Sequence, residues 1–203
     1  MKIPLEPDKY YHIFNHANGR DNIFANEGNY EYFLRQYLRH ISPIADTLAY
    51  CLMPNHFHIA IRIKSIEELI KTEKFKNAQN IEKMELSNLI SKQFSNFFSS
   101  YTLAFNKQQN RMGSLFIPNF SRKHIDSNEY LINIITYIHL NPIHHEFTRN
   151  INDWKHSTFQ IIKENKPSFI KSKEVIDLFD DIDNFLFVHY KKTDNFIITE
   201  LEK

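Results

Sequence analysis

Apolar and polar residues alternate from position 56 to position 63, and this period of two predicts a β-strand. The two faces of the strand differ: the first is Phe57, Ile59, Ile61 and Ile63, and the second is His56, His58, Ala60 and Arg62. The turn signal Met-Pro-Asn at 53–55 precedes it. Residues 47–51 are therefore predicted to form a strand that pairs antiparallel with 56–63.

Helical periodicity and clusters of aromatic and β-branched residues predict the other elements. In chain order they are a strand at 10–16, a helix at 29–40, a helix at 86–105, a strand within 114–125 that Pro118 places at an edge or bulge, and a helix after Asp126 or Ser127. The last helix is expected to end near Asn141, because Pro142 disfavours helical backbone in the residue before it. This order predicts an α+β fold, an antiparallel sheet with helices packed on one face.

Composition indicates a folded protein without a membrane segment. The apolar fraction of 42% supports a full core, and three glycines leave no glycine-rich nucleotide loop. The single cysteine, Cys51, excludes an internal disulfide. No apolar run reaches the roughly 18 residues of a membrane span, and no signal-peptide pattern opens the chain. A cytoplasmic location is therefore expected.

Charge is unevenly distributed, although the net charge is only +1. Residues 84–125 carry one acid, Glu85, and five basic residues, namely Lys92, Lys107, Arg111, Arg122 and Lys123. Residues 174–203 carry eight acids and three lysines. This distribution favours one phosphate-facing surface and makes the five basic residues candidate DNA contacts. An ordinary solvated surface is the alternative.

Two pairs of side chains indicate phosphate chemistry. His56 and His58 point to one side of a strand and can hold a divalent metal, and Tyr137 and Asn141 stack four residues apart on a helix. A carbonyl-type oxygen of Asn141 would add to a mixed nitrogen and oxygen ligand set, which suits Mg²⁺ or Mn²⁺ better than a closed zinc site. Tyr137 is then the candidate nucleophile, and a covalent phosphotyrosine is the expected intermediate.

Each of these residues also has a structural interpretation. An H-x-H pair is most often two polar-face residues, a tyrosine in an apolar helix is most often a core aromatic, and an asparagine before proline often ends a helix. Tyr130 is a rival nucleophile, although Ile134 stands where its amide partner would be needed. Other histidines are alternative ligands or phosphate contacts; they are His12, His16, His124, His139, His144 and His145.

Three segments carry a family resemblance in matching order and separation. They are 50–59 (YCLMPNHFHI), 113–116 (GSLF) and 130–142 (YLINIITYIHLNP), and WKHS at 154–157 follows them. Together they resemble the single-tyrosine transposases of the His-hydrophobe-His (HUH) endonuclease superfamily, particularly the REP-associated tyrosine transposase branch. The resemblance runs from about residue 11 to residue 159.

The resemblance implies a ferredoxin-like sheet and a division of the chain. The catalytic domain is expected at 1–160 with an insertion at 65–83, and a C-terminal helical extension is expected at 161–203. The resemblance also implies single-stranded DNA with a hairpin as the partner, and a homodimer is one candidate assembly.

The same resemblance implies the roles of four residues. His56 and His58 match the metal-binding pair, Asn141 matches the amide that completes the metal site, and Tyr137 matches the nucleophile. Such enzymes cut beside a hairpin and keep the 5′ end on tyrosine. Two other functions stay open: a domesticated DNA-binding protein with little chemistry, and a metal nuclease in which water attacks.

Overall fold

The computed structural model describes residues 3–194. The strands are β1 (Tyr10–His16), β2 (Ala45–Met53), β3 (His56–Ile63) and β4 (Ser121–Ile125). The α-helices are α1 (Glu27–His40), α2 (Ile66–Leu69), α3 (Lys83–Gln108), α4 (Asn128–His144), α5 (Phe159–Lys163), α6 (Ser172–Leu178) and α7 (Ile182–Asp194). Short 3₁₀ turns lie at Glu73–Phe75, Ala78–Asn80 and Ile151–Asp153.

The four strands form one antiparallel sheet in the order β2-β3-β1-β4. With α1 between β1 and β2, and α3 between β3 and β4, this is the ferredoxin-like arrangement. The predicted α+β class is confirmed. Since β3 and β1 are the two inner strands, side chains on β3 are held by strand pairing on both sides.

Helices cover the apolar face of the sheet, as predicted. Phe57 of β3 contacts Phe33 of α1 and Phe98 of α3, with ring centroids 5.3 and 5.7 Å apart. The opposite face is also covered in part, because α4 packs on β2 and β3 and sets Tyr137 against His58. The fold is thus the predicted sheet and helix layer with α4 added as a second layer.

Two predicted boundaries are wrong. Helix α4 continues past Asn141 through Pro142 to His144. Proline removes one helical donor, but Pro142 is buried with most of this helix, and the packing outweighs that loss. In the 114–125 segment only Ser121–Ile125 is a strand; before it Phe116 forms an isolated bridge, because Pro118 has no amide to continue a ladder.

The C-terminal segment covers the free edge of β2. Isolated bridges join Thr47 to Ile170 and Cys51 to Ser157, and α7 packs on α4. An exposed strand edge is a site for unwanted pairing, so this cover protects the sheet. The predicted domain boundary near residue 160 stays a prediction, and residues 195–203 of the predicted extension lie outside the described part.

The predicted insertion at 65–83 is folded onto the domain. It contains α2 and two 3₁₀ turns, and it buries Leu69, Phe75 and Ala78. Within residues 3–194, no helix combines the length and apolar character that crossing a membrane would require.

Candidate metal and tyrosine site

Strand β3 presents the two histidines of the H-x-H sequence on one face. His56 pairs with His16 of β1 and Met53 of β2, and His58 is held between the same two strands. The two imidazole rings are 5.4 Å apart, centroid to centroid, and nearly perpendicular. The central position in the sheet makes this a rigid support for a pair of ligands.

Helix α4 brings the tyrosine and the amide to the same place. The Ser127 side chain caps the helix by accepting from the Tyr130 amide, and the helix then crosses β2 and β3. The Tyr137 ring lies 5.3 Å from the ring of His58, and Asn141 Oδ1 lies 3.0 Å from His56 Nε2. The four predicted site residues therefore meet, while their roles stay predictions.

Each site histidine has a hydrogen-bond partner on Nδ1. His56 Nδ1 is 2.7 Å from Asn55 Oδ1, and His58 Nδ1 is 2.9 Å from His12 Nε2. Metal-ligating histidines are commonly oriented in this way, with one ring nitrogen on an outer partner and the other on the metal. Sequence reasoning did not select Asn55 and considered His12 only as a further ligand.

The contact between His56 and Asn141 fits a cation. A side-chain carbonyl oxygen only accepts, so His56 Nδ1 donates to Asn55 and Nε2 of the neutral ring keeps its lone pair. That lone pair faces Asn141 Oδ1, another acceptor, at 3.0 Å. Two adjacent ligands of an octahedral Mg²⁺ site are also about 3 Å apart. An Asn141 amide turned to present Nδ2 would instead form an ordinary hydrogen bond.

Burial keeps these imidazoles neutral. It lowers the pKa of His56 to about 3, and the nearby Asn141 oxygen, which would favour a protonated ring, acts in the opposite direction. Burial also lowers the pKa of His58 well below its usual value, and the neighbouring histidines add to the shift. Neutral imidazole is the form that binds metals, so the site is in the required protonation state at neutral pH.

Donor atoms at the site lack partners in the described part of the chain. His58 Nε2 and Asn141 Nδ2 are buried without a hydrogen bond. By their chemistry, His56 Nε2, His58 Nε2 and Asn141 Oδ1 are the candidate ligand atoms for a divalent ion. Residues 3–194 contain no group of three or more His, Cys, Asp or Glu that could hold a metal. Water and a phosphodiester oxygen would have to supply the remaining ligands.

Other histidines surround the pair. His16 stacks on His56 at 4.6 Å and His145 contacts it at 4.5 Å. His144 lies parallel to Tyr137 at 6.5 Å. Of the alternative histidines, these three and His12 lie at the site. The other two do not: His124 contacts Tyr11 and His139 bonds to His189.

The five basic candidates for DNA contact are dispersed. Lys123 pairs in register with His12 and shares its face, whereas Arg122 pairs with Ile13 and points to the other face, where it donates to Ser91. Arg111 is held by Asp21 in a loop. Lys92 and Lys107 are exposed along α3. Adjacent strand residues face opposite ways, so Arg122 and Lys123 lie on different faces of the sheet. DNA contact by the five residues stays a prediction.

Comparison with known proteins identifies the fold. No protein-family model matches the chain, and no curated protein matches it. A solved structure of a REP-associated tyrosine transposase bound to a REP hairpin is similar, with a TM-score of 0.54 and 14% sequence identity. The match covers 83% of this chain and 87% of that one. The chain therefore shares the fold of that transposase over most of its length.

Proposed function

We propose that this protein is a divalent-metal-dependent transposase of the single-tyrosine type, which nicks single-stranded DNA beside a hairpin and transfers the strand. The observation that carries the proposal is the meeting of His56, His58 and Asn141 with the Tyr137 ring on one face of the sheet. The fold shared with a hairpin-bound tyrosine transposase supports a DNA partner.

The ligand atoms of His56, His58 and Asn141 would hold Mg²⁺ or Mn²⁺. When bound, the ion supplies Lewis-acid polarisation of the scissile phosphate. Hydrogen bonds that the two rings donate to Asn55 and His12 orient them before substrate arrives. Orientation of this kind lowers the cost of reaching the reactive geometry.

Tyr137 would attack the phosphorus atom. Its Oη forms a bond to phosphorus and the bond to the 3′ oxygen breaks, leaving the 5′ end on the tyrosine. The phenol loses a proton and the departing 3′ oxygen gains one, so no net proton is released. Because the phosphodiester energy is retained, a 3′ hydroxyl can reverse the reaction and join strands without ATP.

The second candidate is a DNA-binding protein of this fold with little catalysis. One observation favours it: Tyr137 is only 2% exposed and Asn141 is fully buried, so a phosphodiester needs a rearrangement to reach them. Hairpin binding without cleavage in Mg²⁺ or Mn²⁺ would support this alternative.

A denaturing gel tests the proposal. The full chain is incubated with labelled hairpin oligonucleotides and Mn²⁺, and a protein–DNA adduct stable to denaturation is expected. Tyr137→Phe should abolish the adduct and leave hairpin binding intact. Tyr130→Phe, at the rival tyrosine on the same helix, is the matched control and should still form the adduct.

The result separates three mechanisms. An adduct that persists in Tyr137→Phe would contradict the assigned nucleophile. Cleaved DNA free of protein, with Tyr137→Phe nearly neutral, would indicate attack by water.

A homodimer stays a prediction, and sedimentation of the full chain measures it.

A further inference from the structure

We propose that His12 is the positioning residue of the candidate metal site. It accepts the Nδ1 proton of His58 and thereby holds that ring with the Nε2 lone pair available for the ion. This inference rests on the metal-dependent function proposed above. It concerns a residue that would touch neither DNA nor metal.

Strand register brings the two rings together. His12 on β1 pairs with Ala60, and His58 on β3 pairs with Phe14, so the two histidines are diagonal neighbours on the same face. Their rings are roughly parallel at 5.0 Å, and His12 Nε2 lies 2.9 Å from His58 Nδ1. Their exposed fractions are 1% and 3%, so water competes little for this bond.

The two ligand histidines have the same arrangement of partners. His56 uses Nδ1 to donate to Asn55 and directs Nε2 to the site, where Asn141 lies. His58 uses Nδ1 on His12 and has Nε2 without a hydrogen bond in the described residues. One strand therefore carries two rings that each have Nδ1 engaged and Nε2 left for a ligand. This repetition is the expected pattern of an oriented metal pair.

The direction of the His12–His58 bond decides whether His58 can bind a cation. A neutral imidazole carries one proton, so donation from Nδ1 of His58 leaves a lone pair on Nε2. If His12 were the donor, the proton of His58 would sit on Nε2 and block it. Either direction leaves one buried N–H without a partner in the described residues, Nδ1 of His12 or Nε2 of His58. Only with His12 as acceptor is the remaining His58 nitrogen a lone pair that a cation can use.

Binding of Mn²⁺ alone, measured by electron paramagnetic resonance of the free ion, tests the inference on the full chain. His12→Phe retains a ring but has no acceptor, and we expect it to weaken Mn²⁺ binding by about 10–100-fold. His12→Gln restores an acceptor oxygen and should recover most of the affinity. His189→Phe removes an imidazole from the other buried pair, His139–His189, and should leave Mn²⁺ affinity unchanged.

The tautomer of His58 is an independent readout. In metal-free protein labelled with ¹⁵N-histidine, the ring shifts of His58 should show the proton on Nδ1. A proton on Nε2, or wild-type Mn²⁺ affinity in folded His12→Phe, would overturn the inference. If the wild-type protein binds no Mn²⁺ but His58 carries its proton on Nδ1, the metal part of the proposed function fails while the hydrogen bond stands.

Discussion

Two buried histidine pairs differ in how completely their nitrogens are satisfied. In both, one ring nitrogen lies 2.9 Å from the other ring: His12 with His58, and His139 with His189. In the second pair the outer nitrogens also have partners, since His189 Nδ1 donates to the Phe185 carbonyl and His139 Nε2 lies 2.8 Å from the Thr158 hydroxyl. In the first pair both outer nitrogens are without one in the described residues.

This difference separates a structural network from an incomplete one. The His139–His189 pair ties α4 to α7 and to the segment beside β2, and its hydrogen bonds are complete. In the His12–His58 pair, His12 Nδ1 and His58 Nε2 are buried without a hydrogen bond in the described residues. Buried polar atoms without partners are rare in folded proteins, and a ligand is one reason to keep them. The complete pair is expected to support stability and the incomplete pair chemistry.

The largest effect is expected from removing one histidine of the incomplete His12–His58 pair. His58→Ala should reduce the rate of adduct formation by about 1000-fold, because Lewis-acid stabilisation of the phosphate would lower the activation barrier by several kcal/mol. Rates are measured from the denaturing gel, with folding checked by circular dichroism. His124→Ala, a histidine exposed on the other face of the sheet, is the control. A folded His58→Ala protein with wild-type rates would contradict the assignment of His58.

The next largest effect is expected from removing one histidine of the complete His139–His189 pair. His189→Phe leaves His139 Nδ1 without its partner, and we expect the free energy of unfolding to fall by about 1–3 kcal/mol. Urea denaturation followed by tryptophan fluorescence measures this. Since His189 touches no candidate ligand, metal affinity should stay constant. A stability loss below about 0.5 kcal/mol would show that the network is not structural.

The free energy of unfolding should depend on pH through one histidine of each pair, His12 and His189. Burial lowers the pKa of His12 and of His189 to about 3, whereas an unfolded imidazole titrates near 6.5. The unfolded state therefore binds more protons between about pH 6.5 and pH 3, and stability falls as pH falls through this window. Each buried histidine contributes up to about 1.4 kcal/mol per pH unit.

Removing one histidine should reduce that slope. The measurement is urea denaturation at several pH values for wild-type protein and His189→Phe, and the variant should lose less stability per unit of acidification. Equal slopes in the two proteins would mean that His189 is not buried in its neutral form.

The smallest effect extends the comparison to the two faces of β4. Lys123→Gln, on the face shared with His12, should weaken hairpin DNA binding a few-fold and reduce the salt dependence by about one phosphate contact. Arg122→Gln, on the opposite face, should have little effect. Fluorescence anisotropy at several salt concentrations measures both. A larger loss in Arg122→Gln would mean that DNA binds the face carrying α3.

Local periodicity predicted the parts of the site that lie within one element. Alternation along β3 predicted that His56 and His58 share a face, and helical spacing predicted that Tyr137 and Asn141 do. The meeting of the two pairs was a hypothesis from their combined chemistry and from the family resemblance, because spacing within an element says nothing about which elements pack together.

The remaining features depend on tertiary structure. The His12–His58 bond requires the register of β1 on β3, and neither strand contains that information by itself. Pro142 was expected to end α4, but burial of the helix outweighs the local preference. The five basic residues were grouped by position in the chain, although alternation along a strand already separates Arg122 from Lys123.

The inner position of β3 has a consequence for hydrogen exchange. The backbone around His56 and His58 is bonded to β1 on one side and β2 on the other, so these amides are released only when the sheet opens as a whole. The two rings should consequently keep their spacing until global unfolding. Any adjustment that admits a DNA strand is therefore expected in α4, which covers this face of the sheet. Slow amide exchange along β3 with faster exchange along α4 would support this expectation.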